Sequence, residues 1–262
     1  MTPSLFATLT WAWIGVAVLA FLALQWVDAP YGRRSTDGWG PTVPNKVAWV
    51  VMESVVLVAL LPGLVSGHPT GTVTWLLVAA FCVHYLNRAF VYPLRTRTSG
   101  KRMPVLIMAA SIGFNTVNGL LIGYQLGHLS HYPPDWFTDP RFVVGAVLFV
   151  GGMAVNRQSD TILIHLRRPG ETGYRIPYGG AFRWVSSPNL MGELIEWCGF
   201  ALMSWCLPGL AFAVWTAANV IPRAQANHRW YLEHFPDYPK DRAAIVPRLR
   251  HTRPTPLPDA AA

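Results

Sequence analysis

Long apolar segments alternate with short polar ones along this chain, and the pattern predicts a bundle of membrane-crossing helices. From Leu5 to Val27 no charged residue occurs, a stretch longer than the roughly 20 residues that a helix needs to cross a hydrocarbon core. A loop rich in Gly and Pro, Asp28 to Lys46, leads to a second apolar segment, Val47 to Val65, interrupted by a single charge at Glu53. A third runs from Thr72 to about Tyr92, a fourth from Met103 to Gly127 and a fifth from about Arg141 to Val155. The fourth carries Ser111, Asn115, Thr116, Asn118 and Gln125, a polar stripe that predicts a helix lining something other than lipid. The last apolar region, Trp197 to Ile221, has 25 uncharged residues with Pro208-Gly209 near its middle. Two helices fit there only if each borrows polar neighbours: a sixth beginning around Asn189, and a seventh continuing past Arg223 to Tyr231. The predicted fold class is therefore all-α, a polytopic membrane protein with seven transmembrane helices.

Between the fifth and sixth helices lies a dense polar run, Asn156 to Trp197, which reads as a ligand-binding loop with helical flanks. Asn156, Asp160 and Arg167 fall at i, i+4 and i+11, one face of a helix if the fifth span continues. Asn189, Glu193 and Glu196 repeat this at i, i+4 and i+7, and Arg223, Asn227 and Tyr231 at i, i+4 and i+8. The polar faces of these helices are expected to converge at one membrane surface.

Composition agrees with the pattern: 52% hydrophobic residues, 13% charged residues and twelve tryptophans do not suit a soluble globule. The first span lacks a basic leader and a small-residue cleavage motif, so it is expected to be a resident helix and not a removed signal peptide. Cys82, Cys198 and Cys206 all lie in apolar segments and form neither a disulfide framework nor a metal-site spacing. The net charge of +8 comes from basic residues that flank the spans. No nucleic-acid-binding module is visible, and attraction to anionic lipid and a phosphate-bearing ligand accounts for the charge better. Lys and Arg concentrate in the first and third loops, the central polar run and the tail, whereas His128 to Pro140 holds only Asp135 and Asp139. The positive-inside rule then predicts an outside N-terminus and a cytoplasmic C-terminus, which an odd number of spans satisfies.

Glu53 is the sharpest chemical signal, because an ionisable group inside a span normally faces a cavity, a partner or a substrate. In its neutral form it could donate a hydrogen bond. Tyr85 and Arg88, in HYLNRAFVYP, would each be read singly as an interfacial anchor or a snorkelling side chain. Tyr85 paired across a cavity with Glu53 instead makes two donors that can be aimed at one carbonyl oxygen. Arg167, Arg168, Arg175 and Arg183 are interleaved with Tyr174, Tyr178 and several glycines, a combination suited to bidentate phosphate contacts and ring stacking. Glu193 and Glu196 could complement a helix N-terminus or accept from an amide or ribose hydroxyl. No GxGxxG follows a strand-like segment, no GxxxxGK[ST] occurs, and no metal-ligand spacing is present, so no metal is expected.

These residues resemble the steroid 5α-reductases, the membrane 3-oxo-5α-steroid 4-dehydrogenases. The resemblance is most specific in NRQSDTILIHLRRPGETGYRIPYGGAFRWVSSPNLMGELIEW, continues through RAQANHRWYLEHFPDYPKDRAAIVP, and reaches HYLNRAFVYP and the glutamate in VVMESVV. It implies a seven-helix membrane enzyme that carries a hydride from NADPH to C5 of a Δ4-3-oxosteroid entering from the bilayer. It further implies that Glu53 and Tyr85 hydrogen-bond the 3-keto oxygen. Asn156, Asp160, Arg167, Tyr174, Arg175, Asn189, Glu193, Arg223, Tyr231 and Arg242 match cofactor-contacting positions, with Glu196 one turn beyond. Asn227 stands before His228 where related enzymes carry a histidine, which changes one contact from a possible cation to an amide. On this reading residues 1–140 mainly form the substrate cavity of a single membrane domain, 141–250 mainly bind NADPH, and 251–262 are a flexible tail. No obligate protein partner is implied, and the membrane would be the inner membrane of a bacterium or the endoplasmic reticulum of a eukaryote. The rival reading is an isoprenylcysteine-type, S-adenosylmethionine-dependent membrane methyltransferase, whose C-terminal pattern also has GELI-like residues after a proline. Such enzymes show Arg-His before that proline, and here Ser186-Ser187 precede Pro188. A lipid carrier with a polar vestibule would have no need for the convergent Arg, Tyr and Glu faces.

Overall fold

The computed structural model describes residues 1–26, 38–98, 100–166 and 173–247. Arg167, Arg168 and the tail 251–262 lie outside them. Among the described residues five helices are long and apolar enough to cross a membrane: Pro3–Ala23, Asn45–Gly67, Thr72–Arg95, Val105–Leu129 and Pro140–His165. The first of these, α1 (Pro3–Ala23), starts at a Thr2 cap that accepts from the Leu5 backbone nitrogen. Helix α2 (Asn45–Gly67) carries Glu53. Helix α3 (Thr72–Leu86) runs through a π-helical turn, Asn87–Val91, into the short α4 (Tyr92–Arg95). Helix α5 (Val105–Tyr124) ends in a second π-helical turn, Gln125–Leu129. Helix α6 (Pro140–His165) extends well beyond the predicted Val155, so Asn156 and Asp160 are helical and share its buried face. Helices α7 (Pro188–Ser204) and α8 (Leu207–His234) divide the last apolar region at Trp205, a left-handed residue, and Pro208 starts the second of them.

Among the described residues a two-stranded ribbon departs from the all-helical expectation. Strands β1 (Thr42–Pro44) and β2 (Arg102–Pro104) pair antiparallel, Val43 opposite Met103. Each runs directly into a helix, so the ribbon ties the first turns of α2 and α5 together and sets the two helices parallel. Along their length glycines replace side chains: a Cβ on Gly119 would meet the Val56 carbonyl oxygen at 2.7 Å, and one on Gly123 or Gly127 would collide with the backbone of α2. Close approach of this kind is the usual means of packing helices where lipid removes the hydrophobic drive to associate.

Helices α6 and α7 interlock antiparallel by the same device. A Cβ on Gly192 would lie 2.5 Å from the Asn156 backbone nitrogen and 2.6 Å from the Gly152 carbonyl oxygen, and Gly145 and Gly199 meet in the same way one heptad away. This contact brings the polar face of α6 against that of α7. The main core lies beside it, where Phe81, Tyr85, Phe149, Trp197, Phe200 and Phe212 pack from α3, α6, α7 and α8. After α8 the chain returns. The Ser186 nitrogen donates to the Ala243 carbonyl at 2.8 Å, and the Ala243 nitrogen to the Trp184 carbonyl at 3.0 Å, pinning the C-terminal segment under the start of α7.

Candidate active site

A cavity of about 440 Å³ opens inside the bundle, walled by α1, α2, α3, α5, α7 and α8. Its lining is mostly apolar, with Trp13, Trp49, Phe114, Trp197, Phe212 and Trp215 among the side chains. Into these walls project a few polar groups: Glu53, Ser111 and Asn115, His84, Tyr85 and Arg88, Glu193, and Arg223. An apolar pocket with a small convergent polar set is the ordinary form of a small-molecule site.

Glu53 accepts a long hydrogen bond, 3.5 Å, from Asn115 Nδ2, whose stronger bond, 2.6 Å, goes to the Met52 carbonyl. Arg88 then joins the two ends of the site. Its Nε lies 4.0 Å from Glu53 Oε1, its Nη1 3.9 Å from Asp160 Oδ2 and its Nη2 3.6 Å from Glu193 Oε2, while the guanidinium carbon stands 4.7 Å over the Trp49 ring and 5.1 Å over Tyr92. One cation thus faces carboxylates from α2, α6 and α7, at distances longer than direct hydrogen bonds. The phenol of Tyr85 is buried, lines the cavity, and has no hydrogen-bond partner among the described residues, so its donor is available to a ligand.

Beyond Arg88 the α6–α7 interface is latched. Asn189 Nδ2 donates to Asp160 Oδ1 at 3.2 Å, and Asn156 Nδ2 donates to the Asn189 carbonyl at 3.0 Å. The expected face of Asn189, Glu193 and Glu196 divides here: Glu193 turns to the cavity and Arg88, whereas Glu196, fully buried, pairs with His84 at 2.8 Å.

A second polar cluster surrounds the returning C-terminal segment. Tyr231 stacks on Tyr238 with centroids 4.9 Å apart, and the Tyr238 hydroxyl donates to Ser186 Oγ at 2.7 Å. Burial pushes that phenol's pKa up. Ser186 Oγ also lies 2.6 Å from His228 Nδ1, and Asn227 Nδ2 donates to Ser187 Oγ at 3.3 Å. Arg242 is fully buried; Nη1 donates to the Pro177 carbonyl at 3.0 Å and the guanidinium carbon sits 4.9 Å over Tyr178 and 5.2 Å over Tyr238. Its Nε and Nη2 are buried with no hydrogen-bond partner among the described residues. A buried cation with two unspent donors is costly alone and suits an anionic ligand such as a phosphate. Tyr174 packs edge-on against Trp230 at 5.0 Å beneath Lys101, and Arg175 is exposed.

Of the residues singled out in the sequence, the cavity gathers Glu53, Tyr85, Glu193 and Arg223. Asp160, Asn189 and Asn156 adjoin it through Arg88, and Asn227, Tyr231 and Arg242 sit around the second cluster. Sequence reasoning treated Arg88 as an anchor and passed over His84. The signal for both was available, since a charge inside a span and a histidine beside Tyr85 are each expensive in lipid.

The comparisons with known proteins follow this layout. A family model described as 3-oxo-5-alpha-steroid 4-dehydrogenase matches residues 101–249. The chain is 42% identical over 239 residues to 3-oxo-5-alpha-steroid 4-dehydrogenase 1 of Bos taurus, covering 89% of this chain and 93% of that protein. It is 41% identical over 241 residues to a steroid 5-alpha-reductase of Gossypium hirsutum, covering 88% and 92%. With 3-oxo-5-alpha-steroid 4-dehydrogenase 1 of Homo sapiens it shares 41% over 248 residues, covering 94% and 95%. Identity at this level over nearly the full length takes in both the cavity and the second cluster, and the chain belongs to the 3-oxo-5-alpha-steroid 4-dehydrogenase family.

Proposed function

We propose that the protein reduces the Δ4 double bond of a 3-oxo-Δ4-steroid, or a steroid-like enone taken from the bilayer, to the 5α-reduced 3-oxosteroid, with NADPH as reductant. The observation that carries this reading is the meeting of Glu53 and the unpartnered Tyr85 phenol in one apolar cavity, beside the Arg88–Glu193 contact. NADPH, when bound, supplies the hydride that C5 receives. As C5 is reduced, negative charge moves onto the carbonyl oxygen. Glu53 in its neutral form and Tyr85 then donate to that oxygen, and their hydrogen bonds strengthen from ketone to enolate, so they favour the transition state over the bound substrate. The aromatic walls exclude water and raise the worth of both bonds. Asn156, Asp160, Asn189, Glu193 and Arg223 are the residues proposed to hold the nicotinamide end and ribose; Glu196, expected from the sequence to join them, is buried against His84 and off the cavity. Arg167, Tyr174, Arg175, Asn227, Tyr231 and Arg242 are proposed for the phosphates and adenosine. The unspent donors of Arg242 support that second assignment.

Seven membrane spans, with α7 and α8 added to the five apolar helices, an outside N-terminus and a cytoplasmic C-terminus complete the proposal. The distribution of Lys and Arg supports that orientation. The methyltransferase alternative is not favoured, since the steroid dehydrogenase model spans the segment in which its pattern was read.

The test is NADPH oxidation by the purified protein in detergent with testosterone or progesterone. Wild type is expected to turn over. Glu53→Gln and Tyr85→Phe are expected to lose about 100-fold or more in kcat while still binding NADPH. Wild-type protein that binds S-adenosylmethionine and shows no steroid-dependent oxidation would overturn the reading.

A further inference from the structure

The buried pair of His84 and Glu196 has no part in the chemistry described so far. Glu196 has no exposed surface and does not line the cavity; one carboxylate oxygen pairs with His84 Nδ1 at 2.8 Å and the other has no hydrogen-bond partner among the described residues. A carboxylate held in such a place costs more than an apolar side chain of similar size, so packing alone is a poor account of it. His84 does line the cavity, with its ring 5.1 Å from that of Tyr85 and 4.7 Å from that of Trp197. Because Nδ1 is committed to Glu196, Nε2 is the ring nitrogen left to the cavity, and it has no hydrogen-bond partner among the described residues. A carboxylate on one imidazole nitrogen, with the other presented to a reacting site, is the arrangement that orients a histidine for proton transfer.

Resting on the reductase reading above, we propose that His84, held by Glu196, is the acid that protonates C4, the carbon beside the polarised carbonyl. Once C5 has gained its hydride, the former C4–C5 π pair lies between C3 and C4 and the carbonyl oxygen carries the charge. That pair forms the new C4–H bond with the proton on His84 Nε2, the N–H bond breaks, and the carbonyl double bond returns. The imidazole is left neutral and regains its proton from water. One hydride and one proton have then been added across the double bond, and charge balances. Neighbouring side chains serve neighbouring substrate atoms: Tyr85 donates to the carbonyl oxygen, two bonds from C4, and His84 precedes it on α3. While His84 carries its proton, the Glu196 carboxylate compensates the charge and fixes the ring. Glu196 is thereby a positioning residue, and His84 a catalytic one.

The experiment compares wild type, His84→Gln, His84→Ala and Glu196→Gln in steroid-dependent NADPH oxidation, run in H2O and D2O, with NADPH affinity and thermal midpoint measured alongside. His84→Gln is expected to lower kcat by about 100-fold with little change in steroid KM or NADPH affinity, and to enlarge the solvent isotope effect as proton delivery becomes limiting. Added imidazoles are expected to restore part of the His84→Ala rate, in an order that follows their acidity, which refilling a cavity would not produce. Glu196→Gln, which keeps the shape and drops the charge, is expected to fall by a smaller factor in kcat alone. A folded His84→Gln protein with wild-type kcat and isotope effect would assign the proton to water and overturn the proposal. So would a rescue of His84→Ala blind to imidazole acidity, and so would Glu196→Gln at full rate should the His84 variants fail to fold. Failure of the wild type to oxidise NADPH with steroid would instead remove the reading on which the proposal rests.

Discussion

The two polar regions of this protein balance their charge in opposite ways. Around the cavity, Arg88 is set among Glu53, Asp160 and Glu193, acids from three different helices. Around the C-terminal segment, Arg242 meets one backbone carbonyl and two tyrosine faces, and part of its hydrogen-bonding capacity is unspent. In the first region the cation already has acids on three sides before a ligand arrives, and the Tyr85 phenol is left as a neutral donor. The second is incomplete and suits an anion. That division is what the proposed reaction, with a neutral steroid and a phosphate-bearing cofactor, would call for.

Arg88 is where the comparison breaks most easily. Arg88→Met leaves three carboxylates facing one another in a buried place. It is expected to cost about 3–5 kcal/mol, read as a lowered thermal midpoint in detergent, and to weaken both steroid and NADPH binding. Undiminished NADPH affinity would mean that the two regions act independently. Next is the α6–α7 interlock that holds Asn156 and Asp160 against Asn189. Gly192→Leu pushes a side chain into the Asn156 and Gly152 backbone and is expected to lose about 3 kcal/mol, with Gly151→Leu, where a Cβ meets nothing within 4 Å, as the neutral control. Arg242→Gln sharpens the contrast: NADPH affinity is expected to fall by about tenfold to a hundredfold, with kcat at saturating cofactor nearly unchanged, by direct titration.

The smallest effect belongs to a charge outside both regions. Hydrogen bonds from the Arg141 side chain and backbone lower the Asp139 carboxyl from its ordinary 3.8 to about 2. A carboxyl lowered on folding stabilises the protein above its ordinary value, and that contribution is lost as pH falls through about 2. Asp139→Asn keeps an acceptor for the cap of α6 and drops the charge. At the protein surface, where solvent screens the pair, it is expected to lower the thermal midpoint barely measurably at neutral pH and not at all near pH 2.

Much of this was legible because it is local. The five apolar helices follow from runs of uncharged residues, and the continuation of α6 past Val155 follows from the spacing of Asn156 and Asp160. Glu53 stands out in any reading because lipid makes a buried charge conspicuous. Arg88 was underread for a physical reason: its partners lie 35, 72 and 105 positions away, and only their convergence separates a hub from a snorkelling anchor. Glu196 was grouped with Glu193 by helical phase, yet one turn of α7 is enough to point one acid at the cavity and the other at His84. The β-ribbon was missed because strands of three residues ending in proline carry no periodicity.

By itself, then, the sequence determined that this is a helical membrane protein, that its polar chemistry clusters after Asn156, and that an acid is retained inside the second span. These follow from the cost of placing polar groups in lipid, which each segment meets alone. Only the tertiary structure decided which acids share a cation, which histidine nitrogen opens to the cavity, and which arginine keeps donors to spare. Those outcomes depend on how closely helices distant in sequence approach, and here glycine-to-backbone contacts set that distance.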